Sequence, residues 1–160
     1  MNDYEKLITT FYTCFQNKDY RGMQQCYAEN VIFTDDAFQS LPYKQVCAMW
    51  HMLLTSSSDL ALTFENVRAD EHSGSCQWTA VYTFTLTNRK VVNKVDTRMK
   101  FDGMKIVMHV DSFNFWKWAR QAFGIAGVIL GWTPFFKKKV QAKARQRLVH
   151  FIEKYPQYAE

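Results

Sequence analysis

The chain has 160 residues, of which 48% are hydrophobic and 16% are aromatic. This length and composition suit one domain with a full core, so no second domain is needed. The four cysteines lack the C-x-x-C spacing of metal sites, and the N-terminus does not read as a signal peptide. We therefore expect no metal site, a cytoplasmic location and four free thiols, at Cys14, Cys26, Cys47 and Cys76.

The formal net charge of +5 is distributed unevenly. Residues 112–160 carry nine Lys or Arg and two Glu, a segment charge of +7, whereas residues 1–111 are slightly acidic. A basic tail can contact nucleic acid, anionic lipid or an acidic partner, although such charges more often serve solubility. We expect no nucleic-acid partner.

Helical spacing of apolar residues dominates the start of the chain. It runs from Tyr4 to Gln16, with Asp3 as the predicted N-cap. Asp19 is predicted to cap a second helix, which ends at Asn30. A short strand from Val31 to Thr34 should follow.

The helical period returns from Pro42 to Leu54 and then gives way to the period of two that is typical of strands. Three such segments follow: Leu60 to Ala69, Cys76 to Thr87, and Val91 to Phe101. Asp102-Gly103 is a strong hairpin turn, so Met104 to Phe115 should pair antiparallel to the third segment. Three helices followed by an antiparallel meander predict an α+β fold.

Residues 116–155 are predicted to form two helices separated by Pro134. The apolar run from Ala122 to Trp132 has 11 residues, too few for a membrane span. We expect both helices to pack on the domain or on a second subunit, with Lys137 to Lys139 and Arg145 in solvent, because otherwise a large apolar set would be exposed. That set is Trp116, Trp118, Phe123, Ile125, Val128, Ile129, Leu130 and Trp132. A homodimer is therefore favoured over membrane contact through the basic, Trp-rich tail.

Two parts of the chain resemble a known superfamily. One reads YAENVIFTDDAF, from Tyr27 to Phe38, and the other comprises Asp102 to Ile106 and His109 to Phe113. They are similar to the first strand and the closing hairpin of the NTF2-like superfamily, which includes ketosteroid isomerase and the SnoaL-like polyketide cyclases. The resemblance covers residues 3–115. It implies an NTF2-like cone, in which a curved antiparallel sheet wraps around N-terminal helices and the mouth is the pocket, with a domain at residues 1–115 and a helical extension at residues 116–160.

The resemblance places Asp35 where ketosteroid isomerase keeps its general base. A carboxylate at the lip of an apolar cavity would have its pKa raised by desolvation, toward the range useful for moving protons at neutral pH. The alternative is that Asp35 or Asp36 caps the turn that follows the strand.

The same resemblance puts Phe11 and Thr97 at the two positions where the isomerase has hydrogen-bond donors, with Tyr12 and Asp96 each one residue away. One residue along a helix or strand turns a side chain to another face. Steroid isomerisation by that mechanism is therefore not expected.

His109 and Asp111 lie at i and i+2 on the last strand, so they share a face, which the superfamily register turns toward the cavity. An imidazole beside a carboxylate can relay protons, and we expect Asp35, His109 and Asp111 to converge on one ligand as the catalytic residues. The alternative is a buried pair that only satisfies its own hydrogen bonds.

Aromatic and apolar residues on the elements around the cavity indicate a small, flat, hydrophobic ligand, although such residues are more often plain core. The predicted ligand-binding residues are Phe11, Tyr12, Trp50, Trp78, Tyr82, Thr97, Met99 and Phe113. No cofactor motif is present, so two functions stay open. One is a cofactor-independent isomerase, cyclase or lyase, and the other is a binding or interaction module without turnover.

Overall fold

The computed structural model describes residues 1–160, which form six α-helices and six β-strands. The helices are α1 (Asp3–Gln16), α2 (Tyr20–Cys26), α3 (Tyr43–Ser56), α4 (Phe115–Phe123), α5 (Ile125–Leu130) and α6 (Pro134–Lys154). The strands are β1 (Tyr27–Thr34), β2 (Leu41–Pro42), β3 (Ala61–Ala69), β4 (Ser73–Phe84), β5 (Arg89–Asp102) and β6 (Lys105–Phe113). A short 3₁₀ turn, Pro156–Tyr158, follows α6.

All six strands form one sheet in the order β2-β1-β6-β5-β4-β3. Neighbouring strands are antiparallel except β1 and β6, which run parallel, with Phe33 opposite His109 and Thr34 opposite Val110. The sheet does not close on itself, and α1 and α3 contact its strands. The α+β architecture predicted from the sequence is confirmed.

Alternation along β5 fixes which face of the sheet is covered. Val95, Thr97 and Met99 are buried, whereas the intervening Lys94, Asp96 and Arg98 are exposed. The period of two therefore separates an inner face from a polar outer face. The inner face meets a core of 25 buried residues that also includes side chains of α1, α2 and α3.

The ends of the first two helices differ from prediction. Asn2, not Asp3, is the N-cap of α1, because its side chain accepts a hydrogen bond from the Glu5 N–H at 2.9 Å while the Glu5 carboxylate accepts one from the Asn2 N–H. The second helix ends at Cys26 and not at Asn30. The reason is tertiary: Tyr27 is already paired with Ile106 of β6, so the chain is extended there.

The tail forms three helices where two were predicted. Gly124, at φ +60°, separates α4 from α5 in a backbone conformation that glycine adopts without strain. Trp118 is 8% exposed, but most of the apolar set expected to be buried is not. The exposed members are Trp116, Ile125, Val128, Ile129, Leu130 and Trp132. These side chains do not pack on the domain, and their burial against a second subunit stays a prediction.

The basic residues of α6 are also only partly as expected. Lys138, Lys139 and Arg145 are exposed as expected, and Arg145 also donates to Gln45 Oε1 at 3.2 Å, but Lys137 is only partly exposed and forms an ion pair with Asp36. The helix packs on α3, where its Leu148 is 1% exposed. None of the helices is at once long and apolar enough to cross a bilayer.

Candidate functional site

His109 lies at the bottom of the inner face and is completely buried. Aromatic rings surround its imidazole: Phe33 and Phe11 approach edge-on, with centroids at 5.0 and 5.4 Å, and Trp50 stacks at 6.3 Å. Because β1 and β6 are parallel neighbours, Phe33 sits opposite His109 on the same face. The ring is therefore held in one orientation.

A hydrogen-bond chain crosses the imidazole. Trp50 Nε1 donates to Tyr27 Oη at 2.9 Å, and Tyr27 Oη lies 2.8 Å from His109 Nδ1. The Asp111 carboxylate can only accept, so the other ring nitrogen carries the hydrogen, and the Tyr27 hydroxyl, which accepts from the indole, has its own hydrogen left to donate to Nδ1. We therefore assign the imidazole hydrogen to Nε2, which donates to Asp111 Oδ1 at 3.0 Å.

Asp111 joins this chain to a second one. Thr97 Oγ1 donates to the same Asp111 Oδ1, and it accepts from Trp78 Nε1 at 2.9 Å and from Tyr12 Oη at 2.8 Å. Strand pairing explains the meeting, because Thr97 of β5 is directly opposite Asp111 of β6. Asp111 Oδ1 thus accepts two hydrogen bonds in a buried environment.

The other oxygen of this carboxyl group, Asp111 Oδ2, is different. Asp111 is 3% exposed, and its Oδ2 is the only buried side-chain nitrogen or oxygen in the chain that has no hydrogen-bond partner. A buried acceptor left unpaired is costly, so such atoms commonly mark a place where another molecule binds. The network therefore leaves one buried acceptor, Asp111 Oδ2, without a partner.

Asp35 lies beside Asp111 at a shallower level. The parallel register pairs Thr34 with Val110, so Asp35, the first residue after β1, comes close to Asp111 of β6, whose charge acts on it. Adjacent strands are about 4.8 Å apart. Asp35 Oδ1 accepts from the N–H groups of Ala37 and Phe38 at 2.7 and 2.6 Å, so the predicted turn cap is present.

Burial raises the pKa of Asp35 to about 7, against the lowering effect of the Phe38 N–H and with a further increase from the charge of Asp111. Asp35 is nevertheless partly exposed, and its Oδ2 accepts no hydrogen bond from the chain. The carboxyl group can thus hold the turn with one oxygen and meet a ligand with the other. Asp35 is partly exposed, whereas His109 and Asp111, which hydrogen-bond to each other, are buried.

The C-terminal tail contacts the turn that holds Asp35. Lys137 pairs with the Asp36 carboxylate, and Gln141 Nε2 donates to the Asp36 carbonyl at 2.9 Å. Both residues belong to α6, which therefore lies against the turn that holds Asp35. No local pattern indicates this contact, because the residues it joins are about a hundred positions apart in the chain.

The eight predicted ligand-binding residues divide between two clusters. Five belong to the packed interior and are each 3% exposed or less: Phe11, Tyr12, Trp50, Thr97 and Met99. Trp78 is partly exposed and reaches Thr97. Tyr82 and Phe113 lie in a second cluster built around α4, where Tyr82 Oη accepts from Trp118 Nε1 at 2.9 Å. The five interior residues form a filled core in this structure, and the three partly exposed ones lie nearer the surface.

A surface depression lies away from Asp35, His109 and Asp111. It has a volume of about 360 Å³ and is on the outer face, lined by Val92, Asn93, Lys94, Asp96, Ser112, Phe113, Asn114 and Lys117. Only Phe113 belongs to the predicted ligand-binding set. No three His, Cys, Asp or Glu side chains are grouped closely enough to hold a metal ion.

Tyr27 is the member of the network that the sequence did not single out as a site residue. The pattern placed it on the inward stripe of a helix, whereas it begins β1 and hydrogen-bonds to His109. Predicting the contact between Tyr27 and His109 would have required knowledge that β1 pairs with β6.

Comparison with known proteins places the fold. The structure is similar to an NTF2-like protein of unknown function from Burkholderia pseudomallei, with TM-score 0.67, 15% identity and coverage of 78% of this chain and 100% of that one. A hypothetical protein with a ketosteroid isomerase-like fold from Catenulispora acidiphila, crystallised with trimethylamine, gives TM-score 0.65, 12% identity and coverage of 80% and 97%. An epoxide hydrolase of M. tuberculosis gives TM-score 0.60, 12% identity and coverage of 81% and 91%.

Identities this low establish the fold alone, and the functions of these proteins differ. No match was found among curated protein sequences. The model of the SnoaL-like domain matches residues 8–109, which include Asp35 and His109. The NTF2-like cone inferred from the two motifs is confirmed, and the chain belongs to the SnoaL-like domain family.

Proposed function

We propose that the protein binds a small apolar or aromatic molecule that carries a hydroxyl or carbonyl oxygen, and that it moves a proton on that molecule without a cofactor, as an isomerase, cyclase or lyase does. The observation that carries this proposal is the unpaired, buried Asp111 Oδ2 beside Asp35. A ligand hydroxyl would donate to Oδ2. This contact would complete the one open end of the network.

Asp35 supplies the proton transfer in this proposal. Near neutral pH, a group whose pKa is about 7 is protonated in some molecules and ionised in others, so it can give or take a proton. The unused Asp35 Oδ2 would face the ligand atom. His109 is a positioning residue here, because it is completely buried and contacts Asp111.

Trp78, Tyr82 and Phe113 would cover the apolar part of the ligand. Their partial exposure supports this role, and Phe113 follows Asp111 by two residues on the same strand. We propose that residues 1–115 are the ligand-binding domain and that residues 116–160 are its extension, since Lys137 of that extension contacts the Asp35–Asp36 turn.

A binding module without turnover is the second candidate. The observation that favours it is the low exposure of the deeper groups, 0% for His109 and 3% for Asp111. Such a module would use Asp111 to orient the ligand and Asp35 only to cap the turn. Proton transfer on a bound ligand separates the two candidates.

The test begins with a panel of aromatic and polycyclic ketones, screened by the rise in melting temperature. Proton NMR in D₂O then follows deuterium entering the carbon next to the carbonyl of each binder. We expect the wild type to accelerate this exchange. Asp35→Asn should retain binding and lower the exchange rate by about 10² or more, the usual contribution of a general base.

Asp96→Asn is the matched control, because it removes a carboxylate from the outer face of the same sheet, where Asp96 accepts from Gln77 at 2.7 Å. It should leave the exchange rate unchanged. Binding without any exchange would establish the second candidate. Absence of both would contradict the proposal.

A homodimer and a cytoplasmic location belong to the same proposal. All four cysteines are free thiols, which fits a reducing compartment. The outer-face depression at Phe113 and Lys117 offers a concave surface for a second copy. Sedimentation analysis of the intact chain tests the dimer.

A further inference from the structure

Six large apolar side chains are exposed within 11 residues, where α5 leads into α6. We call them the apolar ridge: Ile125, Val128, Ile129, Leu130, Trp132 and Phe135. Their exposed fractions run from 46% for Leu130 to 79% for Ile125. Soluble monomers seldom expose so many large apolar groups together, so the ridge indicates a contact surface.

The ridge is held in place by glycine on the opposite side of α5. A Cβ atom on Gly127 would lie 1.9 Å from the Ala119 carbonyl oxygen, and one on Gly131 would lie 2.7 Å from the Ala119 Cβ. Only glycine permits this approach to α4. The helix therefore packs closely through its small side and directs its large side chains outward.

The indole N–H groups near the ridge are already satisfied. Trp132 Nε1 donates to the Ile129 carbonyl at 2.8 Å, and Trp116 Nε1 donates to the Val128 carbonyl at 3.2 Å. An indole whose N–H is already hydrogen-bonded can enter an apolar medium without leaving a buried donor unpaired. The ridge can thus be buried in a medium that offers no hydrogen bonds.

Basic residues surround the ridge, and no acidic residue occurs from Ser112 to Ile152. Lys139 lies 4.8 Å from the Phe135 ring centroid, and Arg120 lies 4.3 Å from that of Trp116. Lys138, Lys139 and Arg120 take part in no ion pair. The rim is therefore positive and uncompensated.

We propose that the apolar ridge inserts into the surface of an anionic lipid bilayer, with Arg120, Lys138 and Lys139 at the headgroups. Apolar side chains beside lysine and arginine match an interfacial segment, which enters the bilayer by about 5–10 Å. A second copy of this chain is a poorer occupant, because it would bring an identical positive rim against this one.

The test is flotation of the intact protein with mixed phosphatidylcholine and phosphatidylserine vesicles, compared with pure phosphatidylcholine. We expect binding to the mixed vesicles that weakens as salt rises to about 1 M. The double variant Ile129→Ser, Trp132→Ser should bind at least about 10-fold more weakly, since both side chains leave the lipid. Lys138→Gln with Lys139→Gln should bind about 25-fold more weakly, at about five-fold for each charge.

Two controls lie at other places on the same fold. Met104→Ser removes an apolar side chain that is 42% exposed at the β5–β6 turn, and Lys94→Gln with Lys100→Gln removes two exposed charges from β5. Both should bind as the wild type does. All variants change exposed side chains, and an unchanged circular dichroism melting curve verifies the fold.

Failure of the wild type to float, or equal flotation of the ridge variant, would overturn the proposal. A dimer in sedimentation that Ile129→Ser, Trp132→Ser abolishes would also overturn it, because the ridge would then belong to a second copy.

Discussion

Replacing Asp35 with Asn should change how the stability of the protein depends on pH. Burial is the largest cause that raises the pKa of Asp35 from 3.8 to about 7. A carboxyl group of this kind keeps its proton in the folded state at pH values where the unfolded chain has lost it. Its stabilising contribution is complete below pH 3.8 and is lost as the pH rises through about 7.

The size of the effect follows from the two pKa values. The interval from 3.8 to about 7, at 1.36 kcal/mol for each pH unit, corresponds to about 4 kcal/mol. Solvent at the partly exposed carboxyl group lowers this to about 2–4 kcal/mol. Asn cannot ionise, but its side-chain oxygen can still accept from the Ala37 and Phe38 N–H groups. The variant should therefore keep the turn, and its stability should not fall as the pH rises through about 7.

Urea unfolding followed by tryptophan fluorescence, at about pH 5 and about pH 8, measures this difference. Relative to the wild type, the variant should gain about 1–2.5 kcal/mol of unfolding free energy between the two pH values, because the interval from about pH 5 to about 7 is about two thirds of the whole. Asp96→Asn controls for removal of one charge. A difference that is the same at both pH values would refute the reasoning. Carbon-13 NMR of Asp111→Asn should show a lower pKa for Asp35, because the charge of Asp111 raises it.

Three further predictions concern packing. Burial lowers the pKa of His51, which lies 3.0 Å from Tyr158 Oη, so stability should fall as the pH drops below 6.5. Hydrogen exchange of residues 151–160 should then be faster at about pH 5 than at about pH 7.5, and equal rates would contradict this. Gly127→Ala should lower stability by about 1–3 kcal/mol in thermal unfolding, because its Cβ would meet the Ala119 carbonyl, and an unchanged melting temperature would exclude that contact. Phe11→Ala should cost about 3–5 kcal/mol in urea unfolding, since Phe11 is completely buried, and a loss under about 1 kcal/mol would mean that the core around it is loose.

The sequence predicted most elements because their signals are local. Asp19 and the Asp102-Gly103 turn act within a few residues, and the helix and the hairpin they mark are present. The predicted end of α2 was wrong because the backbone of Tyr27 is extended, through its pairing with Ile106, which lies 79 residues further along the chain. A local pattern carries no information about such a partner.

The candidate site shows the same division. The i, i+2 spacing of His109 and Asp111 predicted a shared face, and the two side chains do hydrogen-bond. The contributions of Tyr27 and Lys137 depend on the β1–β6 pairing and on the path of α6. The exposure of the apolar ridge also escaped prediction, because hydrophobicity alone does not say that Gly127 occupies the inward side of α5.

The structure of the protein with a bound ketone or phenol tests the central claim most directly. We expect a phenol hydroxyl to donate to Asp111 Oδ2, or a ketone oxygen to accept from the protonated Asp35 Oδ2, at a distance of about 2.6–3.2 Å. A ligand seated only in the outer-face depression beside Asp96 and Lys117, with Asp111 Oδ2 still unpaired, would contradict the account.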